Sequence, residues 1–146
     1  MFDWSEEEVE EFFCNNMECL AKILDPRDGA KYYMDKLLND GHELYLISHR
    51  VYPHYNNPEK ITKDWLNNNN INYTKLILSK TTDKSPECFE NKIDIMFDDV
   101  VSNCKRLKAA GINTYLMETK YNKSPKEDLK TVDNWEELYN VICKFI

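Results

Sequence analysis

The chain has 146 residues, 42% of them hydrophobic, and a formal net charge of −7. That length and composition fit one domain with a real core and exclude a disordered chain. An acidic balance gives no general attraction for a nucleic-acid backbone, and no apolar run approaches the ~18 residues of a membrane span, so neither is an expected partner.

In chain order, Ser5-Glu6-Glu7-Glu8 has the form of a capping box, and Val9, Phe12, Phe13, Met17 and Leu20 follow at helical spacing. Its acidic start differs from the basic-then-apolar pattern of a secretory signal. Asp25-Pro26 breaks the pattern, and a second helix is predicted from about Gly29 to Leu38, closed by Gly41. Leu44-Tyr45-Leu46-Ile47 is a continuous apolar run, as expected of a strand buried on both faces, and it ends at Ser48-His49-Arg50. Asn57-Pro58 opens a third helix with Ile61, Trp65 and Leu66 on its apolar side, and Asn67 to Asn70 end it. Strands are predicted at Lys75–Leu78, Ile93–Phe97 and Asn113–Met117. A helix over Ser102–Ala110 separates the last two, stopped by Gly111. A polar loop from Lys120 to Thr131 leads to Asp133, a candidate cap for a final helix that buries Leu138, Val141, Ile142 and Phe145. Strands alternating with helices predict a parallel α/β sheet with helices on both faces.

Open parallel sheets bind ligands beyond the carboxyl ends of their strands. The first of these strands delivers Ser48, and the second a loop carrying Lys80 and Lys84. The third delivers Asp98 and Asp99, and the fourth Glu118 and Thr119. A hydroxyl, a lysine and two carboxylates suit a phosphate with a divalent cation: carboxylates are hard-oxygen ligands, and the other two donate to phosphoryl oxygens. Taken singly, Ser48 and Lys84 read as ordinary strand-end and loop residues. Asp98-Asp99 reads equally as a metal site or as the acidic start of the next helix. His49 and His54 have no other ligand-type residues around them and read as loop histidines. Cys14, Cys19, Cys88, Cys104 and Cys143 are odd in number and lack any Cys-x-x-Cys pair, which suits reduced thiols of a cytoplasmic protein.

Together these segments resemble the haloacid-dehalogenase-type (HAD) superfamily. Leu44-Tyr45-Leu46-Ile47-Ser48 is similar to its second motif, Thr82-Asp83-Lys84 to its third, and Ile93-Asp94-Ile95-Met96-Phe97-Asp98-Asp99 to its fourth. The closer resemblance is to the cytosolic type C 5'(3')-deoxyribonucleotidases and their bacterial relatives. It is carried by Asp25-Pro26-Arg27-Asp28-Gly29-Ala30, Gly41-His42-Glu43-Leu44-Tyr45, Thr62-Lys63-Asp64-Trp65-Leu66 and Val132-Asp133-Asn134-Trp135-Glu136-Glu137. The departure is the family's first motif, Asp-x-Asp on the first, central strand, which nothing here matches.

The resemblance implies a HAD-like (Rossmannoid) three-layer α/β fold, with a cap helix remnant over 1–25 and a core over 26–146 lacking its first strand. It implies a 5'-nucleotidase-type phosphohydrolase, truncated relative to the family, that dephosphorylates (deoxy)nucleoside monophosphates with Mg²⁺ through an aspartyl-phosphate. In that scheme Ser48, with His49 beside it, holds the phosphate. Lys84 stabilises its charge as a catalytic group, and Asp98 and Asp99 bind the metal. A second copy or an N-terminal complementing segment is an expected partner. The alternative is a non-catalytic HAD-like binding domain. A phospho-receiver places its acids before the hydroxyl and lysine, the reverse of the order here.

Overall fold

The structure is a computed structural model and describes residues 5, 25–50, 55–119, 122 and 128–145. The expected cap helix over 1–25 lies outside the described residues apart from Ser5 and Asp25, as does His54.

Helix α1 (Ala30–Asn39) starts at Gly29, which sits at φ 83°. That left-handed backbone favours glycine, and a Cβ there would sit a little close to the Tyr33 ring, at 3.3 Å. Met34 and Leu37 face inward, and Leu37 is almost fully buried, which contributes about 1.5–3 kcal/mol. Gly41, at φ 95°, closes the helix: its amide and that of His42 bond the carbonyls of Leu38 and Leu37. Strand β1 (Tyr45–Ser48) follows. Helix α2 (Pro58–Asn68) is capped by the Asn57 side chain on the Lys60 amide, as its Asn-Pro start predicts.

Strand β2 (Lys75–Leu78) pairs in parallel with β1, in a register from Tyr45 opposite Lys75 to Ser48 opposite Leu78. A short helix α3 (Ser85–Glu90) then precedes strand β3 (Met96–Asp98). Helix α4 (Val101–Ala109) leads to strand β4 (Thr114–Met117), and strand β5 (Lys130–Val132) to helix α5 (Trp135–Phe145). Strands β3, β4 and β5 form a second, all-parallel sheet in that order.

The strands alternate their side chains between two helical layers, as the two-residue strand period requires. Leu46 and Leu76 pack with Met34, Leu66 and Ile71, and Phe97 with Leu37, Leu138 and Ile142, so α1, α2 and α5 cover one face. Ile47, Ile77 and Met96 pack with Cys88 and Leu107, so α3 and α4 cover the other. Leu44 and Trp135 belong to the packing of both sheets on the first face, and Ile47 shares a cluster with Met96 on the second. The two sheets therefore lie within one three-layer α/β body, which is the fold class the sequence predicts.

Four details differ from the sequence reading. Helix α3 and strand β5 fall where loops are expected. Strand β3 begins at Met96, so Ile93 and Ile95 pack from the lead-in rather than from the ladder. The last helix is capped by Asn134, whose side chain takes the Glu137 amide, and not by Asp133. The Asp133 amide instead donates to the Glu137 carboxylate, one residue ahead of the amide that a capping box would engage.

Candidate active site

A cavity of about 750 Å³ is lined by Leu44–Ser48 on one side and Ile93–Asp99 on the other, with Arg27, Arg50, Thr62, Trp65 and Lys84 among its other walls. The expected set of Ser48, Lys84, Asp98 and Asp99 all line it. His49 is not among its lining residues; its Nδ1 stands 3.0 Å from the Ser79 carbonyl oxygen. Lys80 does not line it either.

Its most organised element is an ion pair. Lys84 Nζ lies 2.7 Å from Asp98 Oδ2, with the two side chains only 13% and 2% exposed. Each partner is fixed locally. The Asp83 carboxylate accepts from the Ser85 amide at 3.0 Å and its hydroxyl at 2.6 Å, anchoring the turn that carries Lys84 at the start of α3. Those two bonds hold the Asp83 carboxyl below its ordinary range. Asp98 ends β3, and its Oδ1 accepts from the Val100 amide at 2.9 Å, while Asn103 of α4 donates to Oδ2 at 3.4 Å. A buried carboxylate whose oxygens meet three donors is not left unsatisfied, which is how this core tolerates it.

Asp99, beside it, is exposed. Its backbone is held by a residue that the sequence reading missed. The Asn122 amide group donates to the Asp99 carbonyl at 2.9 Å and to the Met117 carbonyl at 3.0 Å, and its oxygen accepts from the Thr119 amide at 2.7 Å. Asn122 thereby joins the loops after β3 and β4. Nothing in a lone loop asparagine signals this. Arg27 acts alike, donating to the Glu118 carbonyl at 3.1 Å.

On the β1 side the polar groups are less committed. Among the described residues, the Ser48 hydroxyl has no partner. Arg50 donates to Thr62 Oγ1 at 2.9 Å and lies over the Tyr55 ring at 5.4 Å. Thr62 in turn donates to the Pro58 carbonyl at 2.7 Å.

These residues fit a cation only in part. Mg²⁺ demands a near-octahedral oxygen shell. Asp98 is already taken up by Lys84, Val100 and Asn103, which leaves Asp99 as the acid with open oxygens. Among the described residues, no three His, Cys, Asp or Glu side chains group as a metal cage. Thiol chemistry is unsuited to the site: burial pushes Cys88 up to about 11 and Cys104 up to about 12, so both stay protonated. No described helix is long and apolar enough to cross a membrane.

Parallel strands sandwiched by helices, with a lysine–aspartate pair at their carboxyl ends, make this a HAD-like α/β core. The family described as 5' nucleotidase, deoxy (pyrimidine), cytosolic type C, matches residues 5–145, and the chain belongs to that family. It is similar to a protein of Chlorobaculum tepidum described as a candidate 5'(3')-deoxyribonucleotidase, with 27% identity over 81% of this chain and 55% of that protein. A nucleotidase of Clostridium acetobutylicum is 23% identical over 80% of this chain and 77% of the relative. A third relative, from Halalkalibacterium halodurans and described as a candidate nucleotidase, is 28% identical over 75% of this chain and 55% of its own length. The chain thus spans about half the length of two of these relatives.

Proposed function

We propose that these residues form the phosphate-facing part of a 5'-nucleotidase acting on (deoxy)nucleoside monophosphates with Mg²⁺. The observation that carries the reading is the buried Lys84–Asp98 pair opening into the same cavity as the Ser48 hydroxyl, which has no partner among the described residues. An ammonium has three donors, and Asp98 uses one. The others are suited to the equatorial oxygens of a phosphoryl group, with Ser48 donating from the opposite wall. Asp99, with Asp98 beside it, would contribute carboxylate oxygen to the cation. When bound, Mg²⁺ neutralises phosphate charge. The nucleophile and the general acid are not among these residues. In the family pattern they are the two acids of an Asp-x-Asp strand, which this reading assigns to polypeptide outside residues 1–146.

The expected result is no appreciable turnover of deoxynucleoside monophosphates by the 146-residue chain with Mg²⁺. Losing general acid–base help alone removes about a hundred- to ten-thousand-fold, and losing the covalent route removes more. A form with a family-type Asp-x-Asp strand joined ahead of Met1 is expected to turn over. Robust activity of the short chain, abolished by Asp98→Asn, would overturn the assignment of the nucleophile. The saturated hydrogen bonding of Asp98 favours one second reading, a non-catalytic binding domain. Inactivity of both forms would support it.

A further inference from the structure

The two faces of β1 sort the polar residues at its end. Leu46 packs with Met34 and Leu66 on the side of α1 and α2, and Ile47 with Cys88 and Leu107 on the other. Side chains alternate along an extended chain, so Ser48 and Arg50 follow Leu46, and His49 follows Ile47. The bonds agree: Arg50 donates to Thr62 of α2, while the His49 ring lies against the Ser79 carbonyl beyond β2. Ser48 and Arg50 both line the cavity, and His49 does not. The expected place of His49 beside the phosphate therefore passes to Arg50, which stands about 6–7 Å further along the chain than Ser48.

Arg50 is half-buried, and the described groups that hold it are neutral. The Thr62 hydroxyl gives its hydrogen to the Pro58 carbonyl at 2.7 Å, which turns a lone pair to Arg50 Nη1 at 2.9 Å. The guanidinium lies 5.4 Å from the centre of the buried Tyr55 ring, within cation–π reach. Among the described residues, no ion pair includes Arg50. A guanidinium carries five N–H donors, and Thr62 takes one. Planar, always charged and held on two sides, it is preorganised for a bidentate anion. Lys84 differs, since Asp98 at 2.7 Å already matches its charge. With Asp99 beside them, those groups leave a net negative charge facing an incoming phosphate, and Arg50 offsets it within the same cavity. Arg27, which also lines the cavity, is exposed and donates to the Glu118 carbonyl.

We infer that Arg50 is a substrate-binding residue that takes the phosphate of a nucleoside monophosphate as its dianion. It donates side by side to two phosphoryl oxygens while Ser48 donates to the third. Its charge, rather than that of the paired Lys84, selects a dianion over a neutral nucleoside. This role rests on the phosphate-facing reading of the cavity and needs none of the covalent chemistry.

The test titrates the 146-residue chain, with Mg²⁺ present, by calorimetry against deoxyuridine 5'-monophosphate and against deoxyuridine. Arg50→Gln is expected to weaken the monophosphate by about ten- to a hundredfold, the size of hydrogen bonding to a charged group, and to leave the nucleoside unchanged. Arg50→Lys keeps the charge and loses the fork, so its affinity is expected to fall between the two. From about pH 5 to 7.5, wild-type affinity is expected to rise as the phosphate loses its second proton near pH ~6, and to rise less in Arg50→Gln. A merely structural arginine produces no such difference. In the unsubstituted chain, the monophosphate and not the nucleoside is expected to protect Arg50 from phenylglyoxal, read by mass spectrometry, so the test holds even where a variant does not fold. Unchanged affinity in a folded Arg50→Gln chain, equal losses for monophosphate and nucleoside, or an Arg50 reactivity that saturating monophosphate does not alter would each overturn this role and leave the phosphate to Ser48 and Lys84. A wild-type chain that binds no monophosphate would sink the phosphate-facing reading itself, and this role with it.

Discussion

The two sheets present their carboxyl ends to one cavity but are built differently. The three-stranded side is closed and saturated. Leu107, Leu116 and Cys104 behind it have no measurable exposure, Asp98 takes three donors, and Asn122 ties two of its loops together. The two-stranded side is thinner. Three of the four β1 residues are only half-buried, as are Ile77 and Leu78 of β2, and the Ser48 hydroxyl has no partner among the described residues. One side holds fixed charge in a set geometry, and the other offers one hydroxyl, that of Ser48, without a partner among the described residues. Preorganised charge needs no rearrangement when a phosphoryl group arrives, while a free hydroxyl has no internal bond to give up.

Asp98→Asn breaks that contrast most strongly. The new side-chain nitrogen would face the Lys84 ammonium or the Val100 amide, donor against donor, and Lys84 would keep a buried charge without its counter-ion. Breaking one partner of a buried pair costs about 3–5 kcal/mol. A fall in the urea midpoint with unchanged slope should report that loss, whereas a cost under about 1 kcal/mol would show the pair to be solvated.

Asn122→Ala comes next. It removes two donors from the Asp99 and Met117 carbonyls and an acceptor from the Thr119 amide, in a residue only 8% exposed. Buried groups left unsatisfied cost about 1–3 kcal/mol. Equilibrium unfolding should show that loss, with faster amide exchange at Thr119 separating it from a general loosening. Unchanged exchange there would mean that the loops do not depend on Asn122.

These two residues also mark how far the sequence could be read. The α/β order and the strand-end places of Ser48 and Asp98 were legible because each of the two directly ends an apolar run that reads as a strand, and Lys84 was legible only as a lysine in the loop after the second strand. Asn122 was not, since a loop asparagine makes its contacts only after two strands have brought their ends together. Helix α3 was hidden by length: six residues show less than two turns of periodicity, and only the Asp83–Ser85–Pro86 start hints at it. Strand β5 has three residues and no alternation to see. Asn134 outcompeted Asp133 as the cap because the choice turns on one residue of phase. The division into two sheets was foreshadowed only by the absence of an Asp-x-Asp strand.

A smaller effect belongs to two buried thiols, Cys104 behind the three-stranded sheet and Cys88 in the cluster that also takes in Ile47 and Ile77 of the two-stranded one. Cys88 and Cys104 are pushed by burial from an ordinary value of 9.0 to about 11 and about 12. A group raised in the folded state binds protons there more tightly than when unfolded, so its contribution is complete below pH about 9. It is then lost as pH climbs toward about 11 to 12. Stability should decline over that window, and a Cys88→Ala, Cys104→Ala double variant should decline less. An identical alkaline limb in both proteins would assign the loss to other groups.

The smallest expected change in stability belongs to Ser48→Ala, and it is the sharpest test of the difference between the sheets. The residue ends β1, its carbonyl accepts from the Ser79 amide, and that bond survives the substitution. Its hydroxyl meets no partner among the described residues, so removal orphans no buried donor or acceptor, and alanine keeps the Cβ that packs at the strand end. Substitutions of this kind usually fall within about 0.5 kcal/mol. If the hydroxyl is held open for a phosphoryl oxygen, the cost appears only with ligand: phosphate-analogue affinity measured by calorimetry should weaken by about five- to tenfold, a typical single hydrogen bond to a charged group. Asp98→Asn should reverse that pattern, with a large stability loss in the absence of any ligand. A stability loss of 1 kcal/mol or more for Ser48→Ala, with ligand affinity unchanged, would make the hydroxyl a structural group and remove the two-stranded sheet from the site.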